Sequence, residues 1–200
     1  MAATGASTRE RLLDEAELLF ARVGVQGATT RDIVAASGQR NASAVSYHFG
    51  SREGLLLSIL ARRGGPVDDR RGRCRAALGP TPSTRELVAC LVRPYADLLE
   101  SAGGRAYLRI VAQLRGRFAA WRVESDVATT KHLARILDEL ERRPAGSEAA
   151  RRERLVGMIM LMTAATAERA RVVDQGEVPD LGHEEFVETL GDMCASVLGT

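Results

Sequence analysis

Apolar positions recur along this chain at three- and four-residue spacing, and strict two-residue alternation is nearly absent. Leu12, Leu13, Ala16, Leu19, Phe20 and Val23 fall on one side of a first helix, behind a capping box of Ser7 and Glu10, and Gly24 and Gly27 end it. Thr29 with Asp32 caps a second, short helix that carries Ile33 and Val34 and stops at Gly38. The stretch NASAVSYHFGSREGLL then predicts a third short helix with Val45 and Phe49 four apart as anchors and Ser43, Ser46 and Tyr47 as its polar side. Ser51 caps a fourth helix, with Glu53 in its first turn. Gly64-Gly65-Pro66 is expected to interrupt that helix, which resumes over 67–78. Further helices are expected over 84–101, 105–115, 124–142, 147–173 and 183–198, with Gly- and Pro-containing breaks between them. The expectation is an all-α protein of about nine or ten helices. A three-helix head occupies 1–50 and a larger helical body 51–200.

Composition narrows the function classes. Of the 200 residues 45% are hydrophobic and 27% charged, which excludes general disorder. The net charge is only +2. Between Ala28 and Arg63, Arg31, Arg40, Arg52, Arg62 and Arg63 outnumber Asp32 and Glu53, a mild local basic bias. Arg62, Arg63, Arg70, Arg71, Arg73 and Arg75 read as a solvated face, because Asp68 and Asp69 interrupt the run. Three widely spaced cysteines with no CxxC exclude a zinc ribbon and a disulfide framework, and fit a reducing cytoplasm. No signal-peptide core is visible at the N-terminus, and the longest apolar stretch, 155–167, is too short to span a bilayer. The three histidines are far apart, and there is no Gly-rich phosphate loop, nucleophile elbow or HExxH. No enzyme activity, cofactor, metal or membrane partner is expected.

A capped short helix, a Gly-containing turn and a second short helix together describe a helix-turn-helix, whose second helix enters the DNA major groove. Small and hydrogen-bonding side chains there let the backbone approach the bases. TRERLLDEAELLFARVGVQGATTRDIVAASG and SAVSYHFGSREGLL closely resemble the N-terminal DNA-binding region of the TetR family of transcriptional repressors. The resemblance spans about residues 8–60 and includes Leu19-Phe20, Gly24 through Thr30, Asp32-Ile33 and Tyr47 through Glu53 in family order. It implies that Thr30, His48 and Arg52 contact backbone phosphates and that Ser43, Ser46 and Tyr47 lie along the groove. Arg40, just before the recognition helix, can reach a guanine edge. The chain departs from the common pattern in a turn one residue longer at Gly38–Asn41, in Tyr47 standing two residues before Phe49, and in Gly54, where a helix former is usual.

One short recognition helix reads few bases, so two heads on a palindromic operator of double-stranded DNA are expected, held by a homodimer. The last two helices supply candidate stripes for that interface: Leu155, Ile159, Met162 and Thr166 on one, and Phe186, Leu190, Met193 and Val197 on the other. The resemblance also implies a small-molecule effector pocket in the body, for which Tyr95, Tyr107, Gln113, Phe118, Trp121, His132, Met158 and Met162 are candidates. The leading expectation is a ligand-released repressor. The alternatives are an activator on the same plan, or a helical ligand-binding or interaction protein without an operator.

Overall fold

A computed structural model describes residues 4–41, 43–114 and 127–199. Among the described residues the chain forms nine α-helices and no strand, as the apolar period predicts. They are α1 (Thr4–Val23), α2 (Thr30–Ala36), α3 (Ala44–Phe49), α4 (Arg52–Ala77), α5 (Thr84–Ala96), α6 (Ala102–Gln113), α7 (Val127–Glu141), α8 (Glu148–Asp174) and α9 (His183–Val197).

Two apolar clusters organise them. The first joins Leu12, Leu13, Ala16, Leu19 and Phe20 of α1 to Ile33, Val34 and Val45, and draws in Leu55 and Ile59 of α4 and Ala106 and Ile110 of α6. The second gathers α5, the inner sides of α7, α8 and α9, Val67 of α4, and Tyr107 and Leu108 of α6. Packing of the head therefore continues past residue 50 into α4 and α6. Its second helix starts where the sequence places it. The Thr29 hydroxyl accepts from the Asp32 N–H at 3.2 Å, while the Asp32 carboxylate accepts from the Thr29 N–H at 3.1 Å and from the Thr29 hydroxyl at 2.6 Å. These bonds hold the Asp32 carboxyl below its ordinary value.

Two expected boundaries are corrected. α4 runs unbroken through Gly64-Gly65-Pro66. The proline costs one ladder bond to the Arg62 carbonyl, but contacts on both sides hold the helix together: Leu55 and Ile59 in the head cluster, Val67 in the body cluster. Conversely, the helix expected to reach 101 ends at Ala96 and tightens into a 3-10 turn over Asp97–Glu100. Ser101 then caps α6 by accepting from the Gly104 N–H at 3.0 Å.

Candidate nucleic-acid interface and inner cavity

α3, the helix expected from the sequence to read DNA, is six residues long and starts at Ala44. Ser43 is its N-cap, but the Ser43 hydroxyl makes no capping bond, while its N–H donates to Asn41 Oδ1 at 2.9 Å. Val45 is buried against Ile33, Leu19 and Phe20, as the four-residue spacing predicts. Phe49 is half-buried beneath the guanidinium of Arg9, 5.0 Å from its ring centre. Ser43, Ser46 and Tyr47 are exposed, as is Arg40. Tyr47 is 84% exposed, although tyrosine usually hides its ring. His48 is half-buried and meets the Tyr47 ring edge-on at 4.9 Å. Thr30 is half-buried as the first residue of α2.

Gly50, at φ +74°, turns the chain out of α3, and the Ser51 hydroxyl restarts it by accepting from the Gly54 N–H at 2.9 Å. A Cβ on Gly54 would overlap the Phe49 carbonyl oxygen. The residue that departs from the common pattern is thus the one this tight corner requires.

Arg52 does not stand out toward a phosphate. Its Nε donates to the Ala28 carbonyl at 3.0 Å, its NH2 donates to the Val25 carbonyl, and its guanidinium lies 5.1 Å over the Phe20 ring. The side chain closes the α1–α2 turn from beneath, which corrects the phosphate contact expected of it. Arg62 and Arg63, which contribute to the local basic bias, face the acids of α1. Arg62 donates to Asp14 and Glu17, both at 2.7 Å, and Arg63 grips both oxygens of Glu17 at 3.0 and 2.9 Å. The hydrogen bond to Glu17 raises the Arg63 pKa further. Arg31, in α2, and Arg40, four residues before α3, remain exposed.

In the body, a cavity of about 50 Å³ lies between α4, α5, α6, α7 and α8. Tyr95, Tyr107 and Met162, three of the candidates named for an effector pocket, line it. Burial pushes the Tyr107 hydroxyl up to about 12, so it stays protonated at neutral pH. The other candidates lie elsewhere. Gln113 ties α6 to the head: its Oε1 accepts from the Val25 N–H at 2.7 Å and its Nε2 donates to the Phe20 carbonyl at 3.1 Å. Its polarity serves main-chain groups of the α1–α2 turn rather than a ligand. The His132 ring packs over Gly72 in a separate groove beside Arg75 and Arg135. Met158 is buried toward α9, where the Cys194 thiol reaches its carbonyl at 3.9 Å. Phe118 and Trp121 lie outside the described residues.

Sequence reasoning missed Arg71 and Asp68. Both are buried rather than part of a solvated face. The signal was available: Val67, Arg71 and Cys74 share one side of α4, and the two neighbours are apolar or thiol. The Asp68 carboxylate accepts from the main-chain N–H groups of His132 at 2.8 Å and Leu133 at 2.7 Å, which fastens α4 to α7.

The expected interface stripes also need correction. Leu155, Ile159, Met162, Thr166 and Leu190 are buried within the protomer. Their spacing reports the inner face of α8 and α9, because a single apolar stripe does not distinguish a core from an interface. Phe186 and Val197 are half-buried, Phe186 under the Arg169 guanidinium at 4.3 Å. Of the expected set, Met193 alone is largely exposed, at 46%. Its counterpart on α8 is Met160, 50% exposed and absent from the expected stripe.

Among the described residues there is no group of His, Cys, Asp and Glu able to hold a metal, and no helix long and apolar enough to cross a membrane.

Residues 12–59 match the family described as bacterial regulatory proteins, tetR family. No curated protein matches the chain. Similar solved structures include a TetR-family transcriptional regulator from Streptomyces coelicolor, 22% identical, with a TM-score of 0.55 over 96% of this chain and 95% of that one. The TetR-family regulator PfmR from Thermus thermophilus is 17% identical, with a TM-score of 0.54 over 96% of this chain and 95% of that one. A protein from Shewanella sp. PV-4 assigned to the tetR family of transcription regulators is 14% identical, with a TM-score of 0.61 over 96% and 95% of the two chains.

Proposed function

We propose, from the premise that residues 12–59 are a TetR-family DNA-binding region carried on a TetR-like fold, that this transcriptional regulator is a repressor. It binds a palindromic operator in the cytoplasm as a homodimer and is released by a small-molecule effector. The observation that carries the reading is the division of α3 into two sides. Val45 is locked into the head cluster, while Ser43, Ser46 and Tyr47 are left in solvent at the spacing of a groove-facing surface. Tyr47→Ala removes no buried contact. It is expected to weaken binding to the operator at least about tenfold, a loss of about 1.4 kcal/mol, with the unfolding midpoint unchanged. Anisotropy titration of labelled operator duplex checks it; unchanged affinity would remove α3 from the interface.

The dimer surface in this proposal is the outer side of α8 and α9 around Met160 and Met193, with Leu161 and Val197 half-buried beside them. Exposed methionines on adjoining helices are adaptable apolar surface of the kind that protein partners cover. Met160→Glu is expected to shift the protein toward monomer in light scattering and to raise its dimer dissociation constant at least about tenfold.

Release is carried by α6, which belongs to both clusters. Ala106 and Ile110 pack in the head, Gln113 bonds the α1–α2 turn, and Tyr107 and Val111 line the cavity. A ligand that prefers one position of Tyr107 therefore biases the position of the head. Gly64-Gly65-Pro66 provides the compliant point of α4 between the two cores. Beyond its chain neighbours, Gly65 has no atom within 4 Å of where a Cβ would stand. Gly65→Ala sets a gain in helix propensity against the clash of its Cβ with the Pro66 ring, so stability is expected to change by less than about 1 kcal/mol while effector release is blunted. Thermal unfolding and effector titration of the operator complex check the two halves.

A further inference from the structure

Arg71 is the one cation that lines the inner cavity among the described residues. It is 6% exposed, and its Nε has no hydrogen-bond partner among the described residues. Asp68 is the carboxylate within ion-pair range, with Oδ1 at 4.0 Å from Arg71 NH1. Its two oxygens already accept the N–H groups of His132 and Leu133. The guanidinium otherwise faces the Tyr95 ring, 5.8 Å from its centre. Burial lowers the Arg71 pKa, while Tyr107, Asp68 and Tyr95 counter that effect. A planar fork of five donors, buried at a cavity wall with its charge incompletely met, suits an anion with two coplanar oxygens.

The rest of the wall decides what the anion is attached to. Leu91, Leu137, Ile159 and Met162 make it apolar. The Thr163 hydroxyl gives its proton to the Ile159 carbonyl at 2.8 Å and so offers no donor to a second acidic group. Asp68 stands behind Arg71, and no other cation lines the space among the described residues, so a second negative charge would go unmatched.

We propose that this cavity binds a small organic monocarboxylate, with the carboxylate on the Arg71 guanidinium and the apolar tail among Leu91, Leu137, Ile159 and Met162. The assignment takes the effector site of the regulator reading as its premise and names the class of ligand. In that site Arg71 joins α4 to the ligand and Tyr107 joins it to α6, so one molecule touches both helices that lead to the head.

The test is calorimetric titration of the purified, DNA-free protein with a series of linear and aromatic monocarboxylates from acetate to phenylacetate, each paired with its primary amide, and with sulfate. At least one acid is expected to bind, with its amide and sulfate at least about tenfold weaker. Arg71→Met is expected to lose acid binding at least about tenfold, and Arg71→Lys to retain part of it. Ile159→Phe, which fills the cavity and leaves the charge, is expected to lose it as well; it decides the matter if Arg71→Met does not fold. Binding by none of the acids, equal binding of acid and amide or of acid and sulfate, or unchanged binding by folded Arg71→Met or Ile159→Phe would overturn the proposal. DNA is absent from the titration. A protein that binds an acid and never responds on an operator therefore contradicts the regulator reading alone, and one that binds an operator and no acid contradicts the ligand class alone.

Discussion

Phe20→Ala is expected to destabilise the protein by about 3–5 kcal/mol. Phe20 is fully buried at the centre of the head cluster, against Leu12, Leu13, Ile33 and Val45. Its ring also carries the guanidinium of Arg52, which holds the Ala28 and Val25 carbonyls. Truncation leaves a cavity and also removes the surface that orients this brace, so the α1–α2 turn loosens along with the core. Urea unfolding should show a lower midpoint with an unchanged slope. A loss under about 1 kcal/mol would mean that the head does not depend on this cluster.

Glu17→Gln is expected to cost about 2–3 kcal/mol and to lower the thermal midpoint by roughly 4–10 °C. The Glu17 carboxylate is 2% exposed and receives Arg62 and both arms of Arg63, so one charge joins α1 to α4. The amide keeps the size, removes the charge and points donors at donors. The cost stays below that of breaking a fully buried pair, because Arg62 and Arg63 are partly exposed and water can rehydrate them. Glu17→Leu combined with Arg63→Met should recover part of the loss, since Arg63 is then no longer left unmatched and Arg62 keeps Asp14. If the double variant is as unstable as the sum of the two single changes, Glu17 and Arg63 are not coupled.

The head is largely legible in the sequence, for a local reason. The Thr29–Asp32 capping box, Gly-terminated short helices and four-residue anchor spacing are decided by nearest neighbours, and Thr29, Asp32, Val45 and Ser51 act in the structure as their spacing predicts, whereas α1 already begins at Thr4, which places Ser7 inside it and not at its cap. The misreadings come from long-range pairing. Arg52 has the position of a phosphate contact, but two carbonyls more than twenty residues away claim it. Nothing local marks Glu17 as the partner of Arg62 and Arg63, so in the sequence their charge reads as free. Leu155, Ile159, Met162 and Thr166 form a true stripe, yet a stripe reports only that one side is apolar, and a protomer core satisfies it as well as a dimer does. Arg71 is hidden by its own run of arginines, although its spacing from Val67 and Cys74 places it on the buried side of α4.

The central claim, that the exposed side of α3 reads DNA, is tested most directly by anisotropy titration of the protein against the duplex upstream of its own coding region and a scrambled duplex of equal length, over a range of salt. The upstream duplex is expected to bind at least about a thousandfold more tightly than the scrambled one. Its affinity should fall as salt rises, and Tyr47→Ala should lose most of the preference. Equal affinity for the two duplexes would contradict the assignment of this protein as an operator-binding regulator.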